Sequence, residues 1–395
     1  MRYLDFEEVE LQRLSAYWTA REISQQPLVW GNTVDTLRDS ARELEAFMAP
    51  LLLRTDLRVI LTGAGSSAYI GRCLQPALLQ RLARRVEAIP TTDIVAGPLQ
   101  VLQPDVPTLL VSFGRSGSSP ESLAAVALTE RHVKECYHLI VTCNPHGELF
   151  RRCAGQRRSF ALLLPEATHD RGFAMTSSFT AMALAAMGAF VRGAANSPVA
   201  ARIHAAGPYV LKDLTAPLRV FAAQSFTRVV FLGSRGLAGL AKEAAHKLLE
   251  LTDGEVASIA NSPLGIRHGP KTFVNRETLV VVFVSNDALA RRYDFDLLRE
   301  LCLERVAGKV LAITGRPLDA APSSARAPPL EAIACDSLLI PGMQGSDDFE
   351  LLFPFAMCAQ IFAFYRALQL RKAPDNPSAS GTVNRVVKGV TIHAA

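Results

Sequence analysis

Three short segments of this chain recur at a nearly constant offset, and that recurrence restricts the fold more than any other feature. Arg58-Val-Ile-Leu-Thr-Gly63 returns 170 residues later as Arg228-Val-Val-Phe-Leu-Gly233. Thr108-Leu-Leu-Val-Ser-Phe113 returns at the same offset as Thr278-Leu-Val-Val-Val-Phe283. Leu139-Ile-Val-Thr142 with Pro145 returns as Leu311-Ala-Ile-Thr314 with Pro317, at 172. The runs are rich in Val, Ile and Leu, as expected of strands buried on both faces. Longer helical patterns separate them, so each half reads as βαβ units forming a parallel sheet with helices on both sides. A repeat this long implies a duplicated domain rather than a solenoid.

The spacing predicts a first half over 35–200 and a second over 210–370. Residues 1–34 read as a helical lead-in, with Thr19-Ala-Arg-Glu22 as a capping box. The Ala/Gly/Pro-rich stretch from Gly193 to Pro208 reads as a linker, and Ala320 to Pro329 as a loop inside the second half. Residues 371–395 are a polar tail, long enough to act as a lid.

The total of 395 residues suits two domains, and 20% charged with 49% hydrophobic residues is ordinary globular chemistry. The formal charge of +5 is modest and the Arg pairs are scattered, which reads as solvated faces rather than a nucleic-acid stripe. Most apolar runs are broken by Gly, Ser or charge within ten residues or so, and the N-terminus is acidic, so neither a membrane span nor a signal peptide is expected. Seven Cys form no C-x-x-C pair, which reads as reduced thiols in a cytoplasmic protein. The cysteines read as small core residues; Cys143, just after a strand, is the one whose position also suits a place near the pocket, with a reactive nucleophile as the minor reading. The dispersed His residues show no metal-ligand spacing, so no metal is expected.

Two Ser/Gly turns carry the binding chemistry. The strand Thr108–Phe113 enters Gly114-Arg-Ser-Gly-Ser-Ser119, and a helix begins near Pro120. A strand that feeds such a loop into a helix N-terminus makes an anion site, because backbone N–H groups point outward and the macrodipole favours negative charge. Arg115 can add a positive fork. The loop is not a Walker motif, so a phosphate outside a nucleotide is the first reading. A second turn, Gly63-Ala-Gly65-Ser66-Ser67, follows the first strand, and open α/β sheets bind ligands at that edge. At the corresponding offset the second half has Val284-Ser-Asn-Asp287, so only the first half keeps the phosphate-type loop.

The second half holds the acid–base residues. Glu243, Lys247 and Glu250 share one face of a predicted helix, read either as a solvated ion-pair stripe or as a catalytic group. His268 lies in the Pro/Gly-rich run Ala260–Pro270, where a His is freer to act as acid or base than in a helix core.

Together these pieces resemble the double sugar isomerase (SIS) domain proteins. The residues that carry the resemblance are Gly65-Ser66-Ser67, Arg115-Ser116-Gly117, the helix with Lys247 and Glu250, and Arg267-His-Gly-Pro270. The tail from Asp375-Asn-Pro377 to Lys388 is similar to the end of the isomerase half of glucosamine-6-phosphate synthase. Ala174-Met-Thr-Ser-Ser-Phe179 and Thr19-Ala-Arg-Glu-Ile23 look most like the galactosamine-6-phosphate deaminase/isomerase branch, formerly labelled tagatose-6-phosphate ketose/aldose isomerase. The resemblance implies an α/β fold of two tandem SIS domains, each a three-layer, flavodoxin-like αβα sandwich on a mainly parallel sheet. It implies that Ser66, Ser67, Arg115, Ser116 and Ser119 contact phosphate and sugar, with Gly65 in the turn. Glu250 then matches the carboxylate that moves a proton between C1 and C2. His268 matches the ring-opening histidine, supplied from the other subunit. Lys247 and Lys388 match lysines flanking the carbonyl end. One departure is Gly117-Ser118-Ser119, where many members have Gly-Glu-Thr; Ser119 keeps the hydroxyl.

This set suits an amino-sugar phosphate as substrate. A His with a reference pKa near 6.5 can open the ring, a carboxylate can shuttle the proton, and a lysine can stabilise developing negative charge. Partial burial is expected to raise Glu250 above its reference value. A 2-amino substrate then becomes an imine that water hydrolyses to a ketose phosphate and ammonia, with no cofactor required. The expected function is therefore a galactosamine-6-phosphate deaminase/isomerase. The alternatives are a pure phosphosugar isomerase, a sugar-amine deglycase, or a non-catalytic sugar-phosphate sensor. The expected assembly is at least a dimer with composite active sites, in the cytoplasm, with neither nucleic acid nor membrane as partner.

Overall fold

The computed structural model describes residues 1–191, 198–318, 335–378, 380–387 and 389–393; Lys388 and the expected loop Ala320–Pro329 lie outside the described residues. The chain divides into two compact units, Leu28–Ala200 with Ala379–Ala395, and Met1–Pro27 with Ala201–Ser378.

In the first unit five strands form one sheet: β1 (Arg58–Thr62), β2 (Val86–Ala88), β3 (Thr108–Gly114), β4 (Cys136–Thr142) and β5 (Ser159–Leu163). Their order is β2-β1-β3-β4-β5, all parallel. Every residue of β1 and β3 is buried, because helices cover both faces. Successive side chains point to opposite faces. One set, Ile60, Leu110 and Ile140, packs with Ile94, Val126 and Leu149 from the helices on its side. Helix α1 (Ser66–Leu82) follows β1, α2 (Pro120–His132) follows β3, and α3 (Ser177–Phe190) follows β5.

The second unit repeats the plan. Strands β6 (Arg228–Gly233), β7 (Ala257–Asn261), β8 (Thr278–Val284), β9 (Lys309–Thr314) and β10 (Asp336–Leu339) are parallel in the order β7-β6-β8-β9-β10. The registers coincide as well. Arg58 pairs with Thr108 in the first sheet, and Arg228 pairs with Thr278 in the second. The principal helices are α4 (Gly236–Leu251), α5 (Ala288–Glu304) and α6 (Asp348–Gln369). On one face Val280 and Val282 pack against Phe295 and Leu298 of α5. On the other, Phe231 stacks on Phe283 at 6.1 Å between ring centroids, and Phe283 on Phe355 of α6 at 5.9 Å. Each buried Phe removes enough apolar area to stabilise the fold by about 1.5–3 kcal/mol. Helix α6 is long and apolar enough to cross a membrane by composition, but 94% of its apolar window is buried inside the protein. It is a core helix, apolar on all sides because it is covered on all sides.

Two local expectations are corrected. Thr19 is not a cap. Its helix already begins at Tyr17, and the carboxylate of Asp375 accepts from Trp18 N at 2.9 Å, Thr19 N at 2.7 Å and the Thr19 hydroxyl at 2.7 Å. An acid 356 residues away in sequence thus does the capping. The expected linker is in part a helix, Pro198–Tyr209. Buried Ile203 and Ala206 hold it down, and Arg202 forms a bidentate pair with Glu350 at 2.7 and 2.6 Å.

Candidate active site

In the first unit both Ser/Gly turns lie at the C-terminal edge of the sheet. Ser66 and Ser67 open helix α1 and are buried, while Gly65 before them is exposed. Gly63 is required by close packing, since a Cβ there would lie 2.6 Å from Ser67 Cβ. After β3, Gly117 turns the chain with φ +64°, and Ser119 caps helix α2 by accepting from Ser122 N at 3.4 Å. Ser116 is half-buried. Its carbonyl accepts from Asn144 Nδ2 at 2.8 Å, and its hydroxyl accepts from Ser118 N at 3.4 Å. The turn thus gathers the side chains of Ser116, Ser118 and Ser119 around the N-terminus of α2.

Arg115 is engaged elsewhere. It is buried, and Nη1 donates to Phe173 O at 3.0 Å and Gly172 O at 3.4 Å, while Nη2 donates to Arg385 O at 2.7 Å. Arg385 from the tail in turn donates to Gly172 O at 3.2 Å and to Asp170 O. Asp170, fully buried, accepts from Thr176 N at 2.8 Å, Ser178 N at 2.9 Å and the Ser178 hydroxyl at 2.6 Å, which fixes the start of α3. Arg115 thus clamps the 170–178 loop to the tail.

In the second unit the face of α4 carries a buried charge cluster. Lys247 is only 1% exposed; Nζ lies 2.8 Å from Glu250 Oε2 and 3.3 Å from Glu243 Oε1. That burial decides between the two readings of this stripe: it is not a solvated face. His246 Nε2 lies 3.1 Å from Glu250 Oε1, one helical turn away. The expectation that burial raises Glu250 is corrected. Burial does act against its charge, but Lys247 and His246 outweigh it and hold the carboxyl at about 2. Burial likewise opposes the charge on His246, yet the hydrogen bond and charge of Glu250 raise its pKa above the ordinary value. Glu250, 21% exposed, is thus a carboxylate poised between a fixed cation and a titratable ring.

His268 is exposed, and no hydrogen bond or ion pair joins it to Glu250 among the described residues. Its loop is held from both sides. Arg267 donates to Glu300 at 2.9 Å, and Lys271 pairs with Glu300 and, at 2.7 Å, with Glu304, all on α5. Gly269, at φ +113°, makes the turn that presents the ring.

Comparison with known proteins places this architecture. Residues 52–192 match the SIS domain family. The AgaS protein of Streptomyces coelicolor is 48% identical over 384 residues, 96% of each chain. The D-galactosamine-6-phosphate deaminase AgaS of Escherichia coli is 44% identical over 377 residues, 95% of each. The crystal structure of tagatose-6-phosphate ketose/aldose isomerase from Escherichia coli superimposes with a TM-score of 0.85 at 41% identity, covering 95% of this chain and 96% of that one. The chain belongs to the AgaS family of SIS-domain proteins.

Three residues of these clusters escaped sequence reasoning. His246 was readable, since it stands four residues before Glu250 on a helix, a spacing that brings side chains together. Asp170 and Arg385 gave no such signal, because their partners come from distant loops. Cys143 is not a reactive thiol: burial pushes it up to about 12, so it stays protonated.

Proposed function

We propose that this protein converts D-galactosamine 6-phosphate to tagatose 6-phosphate and ammonia. The observation that carries the reading is the 44% identity, over 95% of both chains, to a protein named D-galactosamine-6-phosphate deaminase. Ser66, Ser67, Ser116 and Ser119 hold the phosphate with the backbone at Gly65, and Arg115 keeps that loop in place. His268 opens the ring. Glu250 carries the proton from C2 to C1, and Lys247 with Lys388 supports charge at the carbonyl end. The buried Lys247–Glu250 pair supports this role, because a binding protein needs only the phosphate loop. The working form is a cytoplasmic homodimer or larger oligomer. The test is ammonia release from a panel of amino-sugar phosphates, with the ketose product followed by NMR. Release from galactosamine 6-phosphate ahead of glucosamine 6-phosphate is expected. A second reading, simple aldose–ketose isomerisation, is favoured by the likeness to the Escherichia coli protein of known structure, which is named a ketose/aldose isomerase. Interconversion of tagatose 6-phosphate and its aldose without ammonia release from any amino sugar would replace the first reading with it.

A further inference from the structure

One pair of cysteines differs from the rest. Cys136, Cys143, Cys153 and Cys358 are buried, and burial pushes each thiol above its ordinary value. Cys302 and Cys335 are half-buried. They lie apart in the sequence, one in the last turn of α5 and the other just before β10. The fold brings them together. In α5, Phe295, Leu298 and Leu301 turn one face to the sheet and pack with Val310 and Ala312 of β9. Cys302 stands seven residues after Phe295, two turns on, and so shares that face. Strand β10 runs parallel to β9 with Leu311 opposite Asp336, which sets Cys335 beside Val310. Side chains alternate along a strand, so Cys335 points to the same side as Val310 and faces α5. Both cysteines pack against the same apolar cluster.

The contact between them has a direction. The Cys335 thiol, which also reaches Asp336 O at 3.6 Å, donates to the Cys302 sulfur. A donated hydrogen bond favours a thiolate on the acceptor. It holds Cys302 below the ordinary thiol value, although burial and the charge of Asp336 act the other way. The same bond, together with burial, raises Cys335. We propose that Cys302 and Cys335 form a dithiol modification site, which a hydroperoxide oxidises to a disulfide that fastens β10 to α5. The inference does not depend on the deaminase reading.

The chemistry balances at each step. The Cys302 thiolate attacks one oxygen of the peroxide. An S–O bond forms, the O–O bond breaks, and the leaving oxygen takes up the proton that Cys302 gave up. Cys302 is then a sulfenic acid. The Cys335 sulfur attacks it, the S–S bond forms, the S–O bond breaks, and the hydroxyl leaves as water with the Cys335 proton. The two thiols lose the electron pair that the peroxide gains. A small-molecule dithiol reverses the bond by exchange. The consequence for the fold is local. Among the described residues β10 pairs with β9 alone, at the edge of its sheet. A covalent tie to α5 gives this short strand, Asp336–Leu339, a second hold at its N-terminal end.

The test treats the reduced full chain with hydrogen peroxide and counts thiols after denaturation. Seven are present per chain. Two should be lost, with Cys302 and Cys335 joined in the peptide map, and dithiothreitol should restore them. At the same dose Cys335→Ser should stop at a Cys302 sulfenic acid that dimedone traps, and Cys302→Ser should keep all its thiols. Cys302→Ala, which puts no hydroxyl against the cluster, gives the same reading if the Ser variant folds poorly. Amide exchange over Asp336–Leu339 should slow about 10-fold or more on oxidation. Survival of all seven thiols, or a disulfide between other cysteines, would overturn the site. A mapped Cys302–Cys335 bond without slower exchange in β10 would overturn the fastening. Dimedone labelling of Cys335 in Cys302→Ser would overturn the assignment of Cys302 as the attacking thiol.

Discussion

The two halves share one topology and one register, yet their sheet edges carry different groups, hydroxyls in one and carboxylates in the other. After β3, the first half presents Ser116, Ser118 and Ser119 around the start of α2. After β8, the second half puts carboxylates in the same place. Asp287 caps α5, accepting from Leu289 N at 3.2 Å and Ala290 N at 3.0 Å, and pairs with Arg235 at 2.5 Å. Asp294 accepts from the Ser234 hydroxyl at 2.6 Å and Ser285 N at 2.8 Å, and burial pushes it up to about 6. The donors that could greet a phosphate are already spent on internal acids. A helix N-terminus binds an external anion only where the chain has not supplied one. The second half keeps a buried charge cluster on α4 instead.

The comparison breaks most severely at Glu250. Glu250→Gln is nearly isosteric and takes no proton, so ammonia release and C2 exchange should both fall by about 10²-fold or more, with substrate affinity kept. The pH dependence has a definite sign. With its carboxyl held at about 2, Glu250 is ionised throughout the usable range, so the acid limb of the kcat/KM profile belongs to another group. The lowered folded value contributes stability that is present above the unfolded value near 4.3 and is lost as pH falls towards 2. Glu250→Gln should flatten that acid-side slope in urea melts; an unchanged slope would mean the cluster is not formed.

Arg115 comes next. A charged donor to three carbonyls is worth about 1.5–3 kcal/mol per bond at most, and the freed carbonyls regain some water. Arg115→Ala should therefore lower stability by about 2–4 kcal/mol, with faster amide exchange over residues 170–178. Ser116→Ala should instead raise KM at unchanged stability. A normal melting temperature in Arg115→Ala would return Arg115 to the role of a free phosphate fork.

Ser119→Asp turns the first half's edge into a copy of the second. Asp is as good a helix cap as Ser, so the fold should hold. Its charge would meet the substrate phosphate at a few ångströms, where like charges cost about 1–4 kcal/mol near a protein surface. KM for the sugar phosphate should rise about 10-fold or more, with kcat much less affected. An unchanged KM would place the phosphate elsewhere.

Much of this contrast was legible in the sequence. Runs such as Thr278–Phe283 announce strands covered on both faces, and the offset of 170 equals the register observed between β1–β3 and β6–β8. Lys247 and Glu250 were legible because a helix makes short spacings spatial. Their burial was not, since the same spacing serves a solvated stripe, and only the cover from β6, β7 and α6 separates the two. Nor was the sign of the Glu250 shift: burial alone predicts a rise, and the answer depended on a ring and an ammonium both within 3.1 Å. The partners of Arg115 at 172, 173 and 385 belong to loops and a tail, which follow no period.

The smallest expected effect tests whether the halves descend to the same backbone even where their residues differ. Gly65 precedes α1 with φ 56° and ψ −130°; Arg235, 170 residues on, precedes α4 with φ 53° and ψ −124°. Glycine adopts this conformation freely, whereas an L side chain there costs about 1–3 kcal/mol. Arg235 recovers part of it through the pair with Asp287, but both partners are over a third exposed, so the pair is worth about 0.2–1 kcal/mol. Gly65→Ala should therefore destabilise the first half by about 1–3 kcal/mol. Arg235→Ala should lose the ion pair and keep the strain. Arg235→Gly should lose the same pair and relieve the strain, making it more stable than Arg235→Ala by about 1 kcal/mol or more, the reverse of the order inside a helix. The preference for Gly over Ala at a helix cap acts in the same direction. Thermal melts of the three variants measure this directly. Equal stability of Arg235→Gly and Arg235→Ala would show that the second half has relaxed away from the conformation that Gly65 imposes on the first.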